Sequence, residues 1–305
     1  MTSIRGWSKR RKIIVGILVA WLGGTVLIGV AFGVHGKKNT SYLPQDEFKL
    51  FNWAHLFGPI YLNKAVFYLV LAALITVGAM VFIAKRMQMR PNRVQTAVEL
   101  AYGICERQIT RDSMDADMAR KWFPLVATLF FFLLVSNLLG YIPLPVNTNP
   151  AEEVHVFGTT LPTFQLFAAT TNISFPLVLA LIVYIAFNAE GVRAHGPIGY
   201  IKSLIPKGVT GVMLLLIFPI EILSNILRLL SLTIRLWANL LAGHMLIAFM
   251  SGGLAVLLGL KFLAWALLPF GVAIFLFEAV LIAGLQAFIF AILAAIYLGS
   301  AVSEH

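Results

Sequence analysis

Six runs of mostly apolar residues, at 13–33, 65–84, 122–139, 169–187, 212–250 and 262–299, limit what this chain can fold into. A helix of about 20 residues crosses the hydrocarbon core of a bilayer. Inside that core every backbone N–H and C=O must be satisfied within the segment, so such runs have to be helical. The expected fold class is an all-α membrane protein with five to six transmembrane helices. Composition agrees: 60% of residues are hydrophobic and 12% charged, unlike a soluble domain.

Charge orients the runs. The net charge is +10, and the basic residues cluster beside apolar runs. Arg5, Lys9, Arg10, Arg11 and Lys12 precede the first run. Lys85, Arg86, Arg90 and Arg93 follow the second, and Arg193, Lys202 and Lys207 precede the fifth. By the positive-inside rule these segments are cytoplasmic, and both termini lie inside. The same rule accounts for the basic balance without a nucleic-acid partner. The segment 141–168 holds Glu152, Glu153 and His155 and no Lys or Arg, so it is expected outside as a solvated loop. Two adjacent carboxylates and one His are too few for a metal site. Thr170, Thr171 and Asn172 open the fourth run, where an outward-facing aqueous vestibule could begin.

The remaining segments add detail. Residues 34–64 are mixed polar and aromatic with no clear period, and Trp53, Phe57 and Tyr61 read as interface anchors. Residues 91–110 read as a helix lying at the cytoplasmic surface, with Val94, Val98, Ala101 and Cys105 on one face. Residues 190–207 read as a return segment on the inside. The first run is a retained span, an uncleaved anchor or a cleaved signal peptide. Cys105 is the single cysteine, which excludes an internal disulfide framework. There is no phosphate-binding glycine loop, HExxH or GxSxG motif. The chain is therefore expected to do no covalent chemistry and to need no cofactor or metal.

The last two runs are too long for a simple crossing. As helices, each would measure nearly 60 Å, against a core about 30 Å thick. They must tilt strongly, bend, or lie partly in the membrane plane. Pro219 and Pro269 offer bends. The link 251–261 contains Gly252, Gly253 and Gly259, and the pair reads as a long helical hairpin turned at the outside.

The fifth run carries Glu221, Asn225, Arg228, Arg235, Asn239 and His244 among its Leu, Ile and Ala. At about 100° per residue, with Glu221 at zero, Asn225 falls near +40°, Arg228 near −20°, Arg235 near −40° and Asn239 near 0°. Ser224 and Ser231 fall near −60° and −80°. One polar stripe, roughly 120° wide, thus runs along an otherwise apolar helix. His244 projects near 140°, off the stripe. Arg keeps its proton, and holding it at mid-membrane costs from about 2.5 kcal/mol upward. The stripe must therefore face protein or water. A fixed positive charge there would favour the ionised form of a passing carboxylate and repel hydronium. Alternatively, the arginines snorkel or pair with Glu221. The sixth run carries Glu278 and Gln286, about 80° apart on a regular helix.

These residues are familiar. SLTIRLWANLLAGHML at 231–246 closely resembles the signature of the a subunit of F-type ATP synthases. SNLLGYIP at 136–143, TTNIS at 170–174 and LQAFIFAILAAIYL at 285–298 are similar to further family segments in the same order. The resemblance covers roughly residues 40–305. It implies a proton-translocating stator subunit in a bacterial plasma (inner) membrane, with no active site of its own. Its implied partners are the c-subunit ring, the b subunits of the peripheral stalk and the rest of the synthase. Arg235 matches the essential arginine that separates two offset half-channels, and Asn239 and Gln286 match residues beside it. Glu221 and Ser231 match polar channel positions. His244 matches a position that pairs with an acid or His on the last helix, with Glu278 the candidate partner here.

The sequence departs from the family in three places. Glu278 lies eight residues before Gln286, where seven is the family spacing, and Ala279 holds that place. Thr170 stands where many members have Asp. Residues 1–40 are an addition to the domain expected at 41–305, whose part at 208–300 is the hairpin that would face the ring. Two other functions compete. One is a stand-alone anion transporter, which the lack of internal repeats opposes. The other is a scaffold whose stripe only joins helices.

Overall fold

The structure is a computed structural model of the chain; it describes residues 8–32, 48–50, 52–57, 60–147, 154–156, 159–161, 163–203 and 212–302. The first basic residue Arg5, the acidic pair Glu152 and Glu153, and Lys207 lie outside the described residues. Six helical stretches are long and apolar enough to cross a membrane. The chain is a multi-span helical membrane protein.

Contacts divide it into two units. The first takes Met1–Lys49 and Gly243–Phe277, and the second Leu50–Ala242 and Glu278–His305. In the first unit, α1 (Lys9–Phe32) packs on α8 (Lys261–Phe277). The Trp21 indole N–H donates to the Trp265 carbonyl at 3.1 Å, so the added N-terminal helix is fastened by a side chain to backbone. Between Phe249 and Leu258 the link is largely helical: a π-helical stretch at Phe249–Gly253 is followed by α7 (Leu254–Leu258). The turn expected across 251–261 is made at two glycines, by a kink at Gly252 and by left-handed Gly259 (φ 68°). In this region the backbone leaves helical dihedrals at Gly252 (φ 150°, ψ −16°). Neither Pro219 nor Pro269 interrupts its helix.

The second unit begins with a hairpin, β1 (Asn52–Phe57) against β2 (Ile60–Asn63), that leads into α2 (Lys64–Lys85). The Asn63 side chain accepts from the Val66 N–H and caps α2. Next come α3 (Arg93–Gly103), capped by Asn92, and a π-helical continuation at Ile104–Arg111. These match the surface helix expected over 91–110, with Cys105 and Ile109 buried. Burial pushes the Cys105 thiol up to about 12.

The core is the seam between α4 (Ala116–Leu139) and α9 (Ala283–Ser300). Ala283, Ala287, Ala291, Ala294 and Ala295 are buried on α9 against Val126, Leu129 and Leu133 of α4. Small residues let membrane helices approach closely, which is where their packing energy comes from.

Two expectations are corrected here. The outer segment 141–168 carries short strands, β3 (Leu144–Asn147) paired with β6 (Thr163–Gln165) and β4 (Val154–Val156) with β5 (Thr159–Leu161). Such short pairings give little periodic signal. The fourth span, α5 (Ser174–Ser203), starts later and runs further than 169–187, through the supposed inside loop. It breaks at Gly196 (φ 72°), a conformation only glycine adopts freely. Residues 169–171 form a 3₁₀ turn before it. The Lys121–Glu190 ion pair joins α4 to α5, and Arg193 pairs with Glu190 one turn along α5.

Candidate functional site

The polar stripe lies on α6 (Val212–Ala248), one continuous helix, so its side chains keep the angular order the sequence predicts. Leu232, Leu236 and Leu240 are buried on the packed side of α6. Along the margin of that side, Ser231 and Asn239 are exposed, and Glu221, Arg228 and Arg235 are half-buried. The stripe is thus open only in part: Asn225 is buried, while Ser231 and Asn239 are exposed.

Arg235 Nη2 donates to Ser231 Oγ one turn earlier, at 3.4 Å. Among the described residues, no carboxylate pairs with Arg235 or Arg228, and none of Glu221 or Glu278 is in an ion pair. The alternative in which the arginines are neutralised inside the chain is not what the described residues do. Arg228 instead places its guanidinium 5.6 Å from the centre of the Tyr297 ring, a cation–π contact. Beside it, Asn225 Nδ2 and the Tyr200 hydroxyl both donate to Asn188 Oδ1, at 3.3 and 2.8 Å. This cluster joins α5, α6 and α9.

A second cluster lies around the end of α4 and the start of α9. The Tyr141 hydroxyl donates to Glu278 Oε2 at 3.4 Å, and Asn137 Nδ2 donates to the Ala283 carbonyl at 3.2 Å. Burial raises the Tyr141 hydroxyl's pKa, and the nearby Glu278 charge raises it further. Ser136 Oγ, Asn137 Oδ1, Thr170 Oγ1 and the Tyr68 hydroxyl are buried and without a protein partner. Buried polar atoms of this kind are normally satisfied by water. The Trp237 indole N–H donates to the Thr171 carbonyl at 3.0 Å, tying α6 to the 3₁₀ turn. Lys64, at the start of α2, is buried, donating to Gln165 at 3.0 Å and lying 4.7 Å from the Phe167 ring centre.

The sequence-predicted residues therefore separate. Arg235 and Ser231 are joined, and Glu278 is held by Tyr141. Gln286 is buried on α9. His244 is buried on α6, in the first unit. Sequence reasoning missed Tyr141, Asn137 and Lys64 as polar partners. Asn137 and Tyr141 stand inside SNLLGYIP, four residues apart on one helical face, a signal that was available.

A family model described as the ATP synthase A chain matches residues 66–299. The chain belongs to this family. It is 34% identical over 270 residues to the ATP synthase subunit a of a Nocardioides species, covering 85% of this chain and 88% of that protein. It is 34% identical to the subunit a of Mesorhizobium japonicum, covering 78% and 86%. To the subunit a of Hyphomonas neptunium it is 31% identical, covering 85% and 95%. The matched region starts after α1, within α2, so the family domain includes α6, with Arg235, and α9, with Gln286.

Proposed function

We propose that Arg235 is the fixed positive charge that separates two offset half-channels and meets the deprotonated carboxylate of each passing ring subunit. The overall role follows from the family. The chain is the proton-translocating membrane subunit of an F-type ATP synthase, works within that complex, and is not an enzyme alone. The observation that carries the Arg235 reading is its exposure. It stands half-buried on a partly open polar stripe, with no carboxylate partner among the described residues. A membrane arginine in that state must meet water or a partner from outside the chain, and an acidic partner in a ring of c subunits fits.

The two clusters suit the two half-channels. The outer path is lined by Glu278, Tyr141, Asn137 and Thr170; among the described residues the buried Asn137 Oδ1 and Thr170 Oγ1 find no protein partner, which favours a wet route. His244, within the first unit, is a further proton relay. The inner path runs past Glu221, Asn225 and Arg228 to the cytoplasmic surface. Asn239 and Gln286 flank Arg235 and hold water or the ring carboxylate by hydrogen bonds. Residues 41–305 form the family domain, with 208–300 facing the ring, and residues 1–40 are an added anchor. The b subunits of the peripheral stalk are further partners. The basic segments beside the apolar runs support a location in a bacterial plasma membrane.

The test uses inverted membrane vesicles carrying Arg235→Ala. ATP-driven proton pumping is expected to vanish while the complex remains assembled. Pumping near wild type would overturn the gate role.

A further inference from the structure

The last membrane helix is not uniform. A π-helical turn occupies Glu278–Ile282, immediately before α9. On an unbroken α-helix, the eight residues from Glu278 to Gln286 rotate through about 800°, leaving the two side chains about 80° apart. A π turn closes i→i+5 bonds and so absorbs one extra residue. The effective separation becomes seven residues, or about 20°.

Burial follows the π register. Along one buried ridge the positions are Glu278, Ala283, Ala287, Ala291 and Ala295. The first step is five residues and the rest are four. A continuous α-helix would instead bring Ala279 and Val280 onto that ridge. Ala279 is only half-buried, and Val280 is 76% exposed. Both ends of the turn are held from α4 and its C-terminal turn. The Tyr141 hydroxyl reaches Glu278, the first residue of the turn, and Asn137 reaches the carbonyl of Ala283, the residue after its last. Asn137 and Tyr141 are themselves one helical turn apart.

We propose that the π turn is a register device, pinned by Asn137 and Tyr141, that carries Glu278 onto the Gln286 face of the last helix. This deepens the outer-path reading and rests on Glu278 acting there. The one-residue departure in spacing is thereby cancelled by the backbone. Asn137 and Tyr141 are positioning residues; Glu278 is the group they position.

The test changes chain length within the turn, in the intact synthase. Deleting Val280 converts the π turn into an α turn and leaves Glu278 and Gln286 on one face. Inserting an Ala after Val280 turns Glu278 about 100° away. In inverted vesicles the deletion is expected to retain at least about half of wild-type pumping, and the insertion to fall below about a tenth, because only the deletion preserves the register. Equal loss by both in assembled complexes, or full activity in both, would overturn the proposal. Glu278→Gln is the control for the underlying role. Normal pumping there would sink Glu278 as a relay, while the deletion–insertion contrast still reports the register. Where a length variant fails to assemble, a density map of the wild-type synthase decides. An i→i+5 bond at 278–283 supports the device, and an unbroken i→i+4 ladder through 278–286 overturns it.

Discussion

The stripe on α6 and the seam between α4 and α9 both place polar residues at membrane depth, yet they are treated in opposite ways. Along the seam, Gln286 and Asn137 are buried among alanines, and Asn137 donates to a neighbouring backbone. Along the stripe, Ser231 and Asn239 are exposed and Arg235 reaches only a serine on its own helix. A polar group inside a closed seam must be satisfied by the fold itself. A polar group on an open face is left for a partner that moves past it. The contrast teaches that the two regions should fail differently when altered. Seam changes should remove the protein, and stripe changes should remove its function.

The largest effect is expected at Arg235→Lys. Charge is kept, but the planar fork and its fixed donors are lost. ATP-driven pumping should fall below about a tenth of wild type, with normal subunit levels on immunoblots, since an exposed Lys costs the fold little. A drop in subunit level matching the drop in pumping would break the comparison.

Gly140→Val should do the reverse. A Cβ at Gly140 would collide with Ala168, including its backbone. Overpacking of this kind costs about 1–3 kcal/mol. The subunit should be depleted from membranes, and pumping should fall in proportion. Full-level protein with lost pumping would move Gly140 from the seam to the conducting path.

Asn225→Ala tests the boundary between the regions, because Asn225 is on the stripe but buried. It removes a hydrogen bond to Asn188 worth about 1 kcal/mol. Thermal stability of the solubilised complex should drop slightly, with a few-fold loss of pumping.

Cys105 gives the smallest effect and a pH handle on the surface helix. Its thiol is neutral in the fold until near pH 12. The stability this adds is present below the ordinary thiol range and is lost as pH rises from there toward about 12. Maleimide labelling at pH 8 should be on the order of 100-fold slower than for an open cysteine. Fast labelling would show that the π-helical stretch at Ile104–Arg111 opens.

Much of this was legible in residues alone. The spans follow from apolar length and the stripe from a single angular repeat on α6. Arg235 stood out because an arginine there has no inexpensive alternative. Other features were hidden for identifiable reasons. The strands β3 to β6 are too short to show a period. The helix after residue 187 reads as a loop because Glu190, Arg193 and Lys202 make it polar, although the Glu190–Lys121 ion pair holds it against α4. The spacing of Glu278 looked wrong because angular counting assumes a uniform 3.6-residue turn.

The sequence by itself determined the class of fold, the topology and the charged face, since bilayer thickness and desolvation act on each segment separately. Only the tertiary structure decided which polar groups meet. Tyr141 finds Glu278 and Asn225 finds Asn188 across long separations in the chain. Those pairings depend on how close two helices come and on a local change of helical pitch, and neither quantity is written in any one segment.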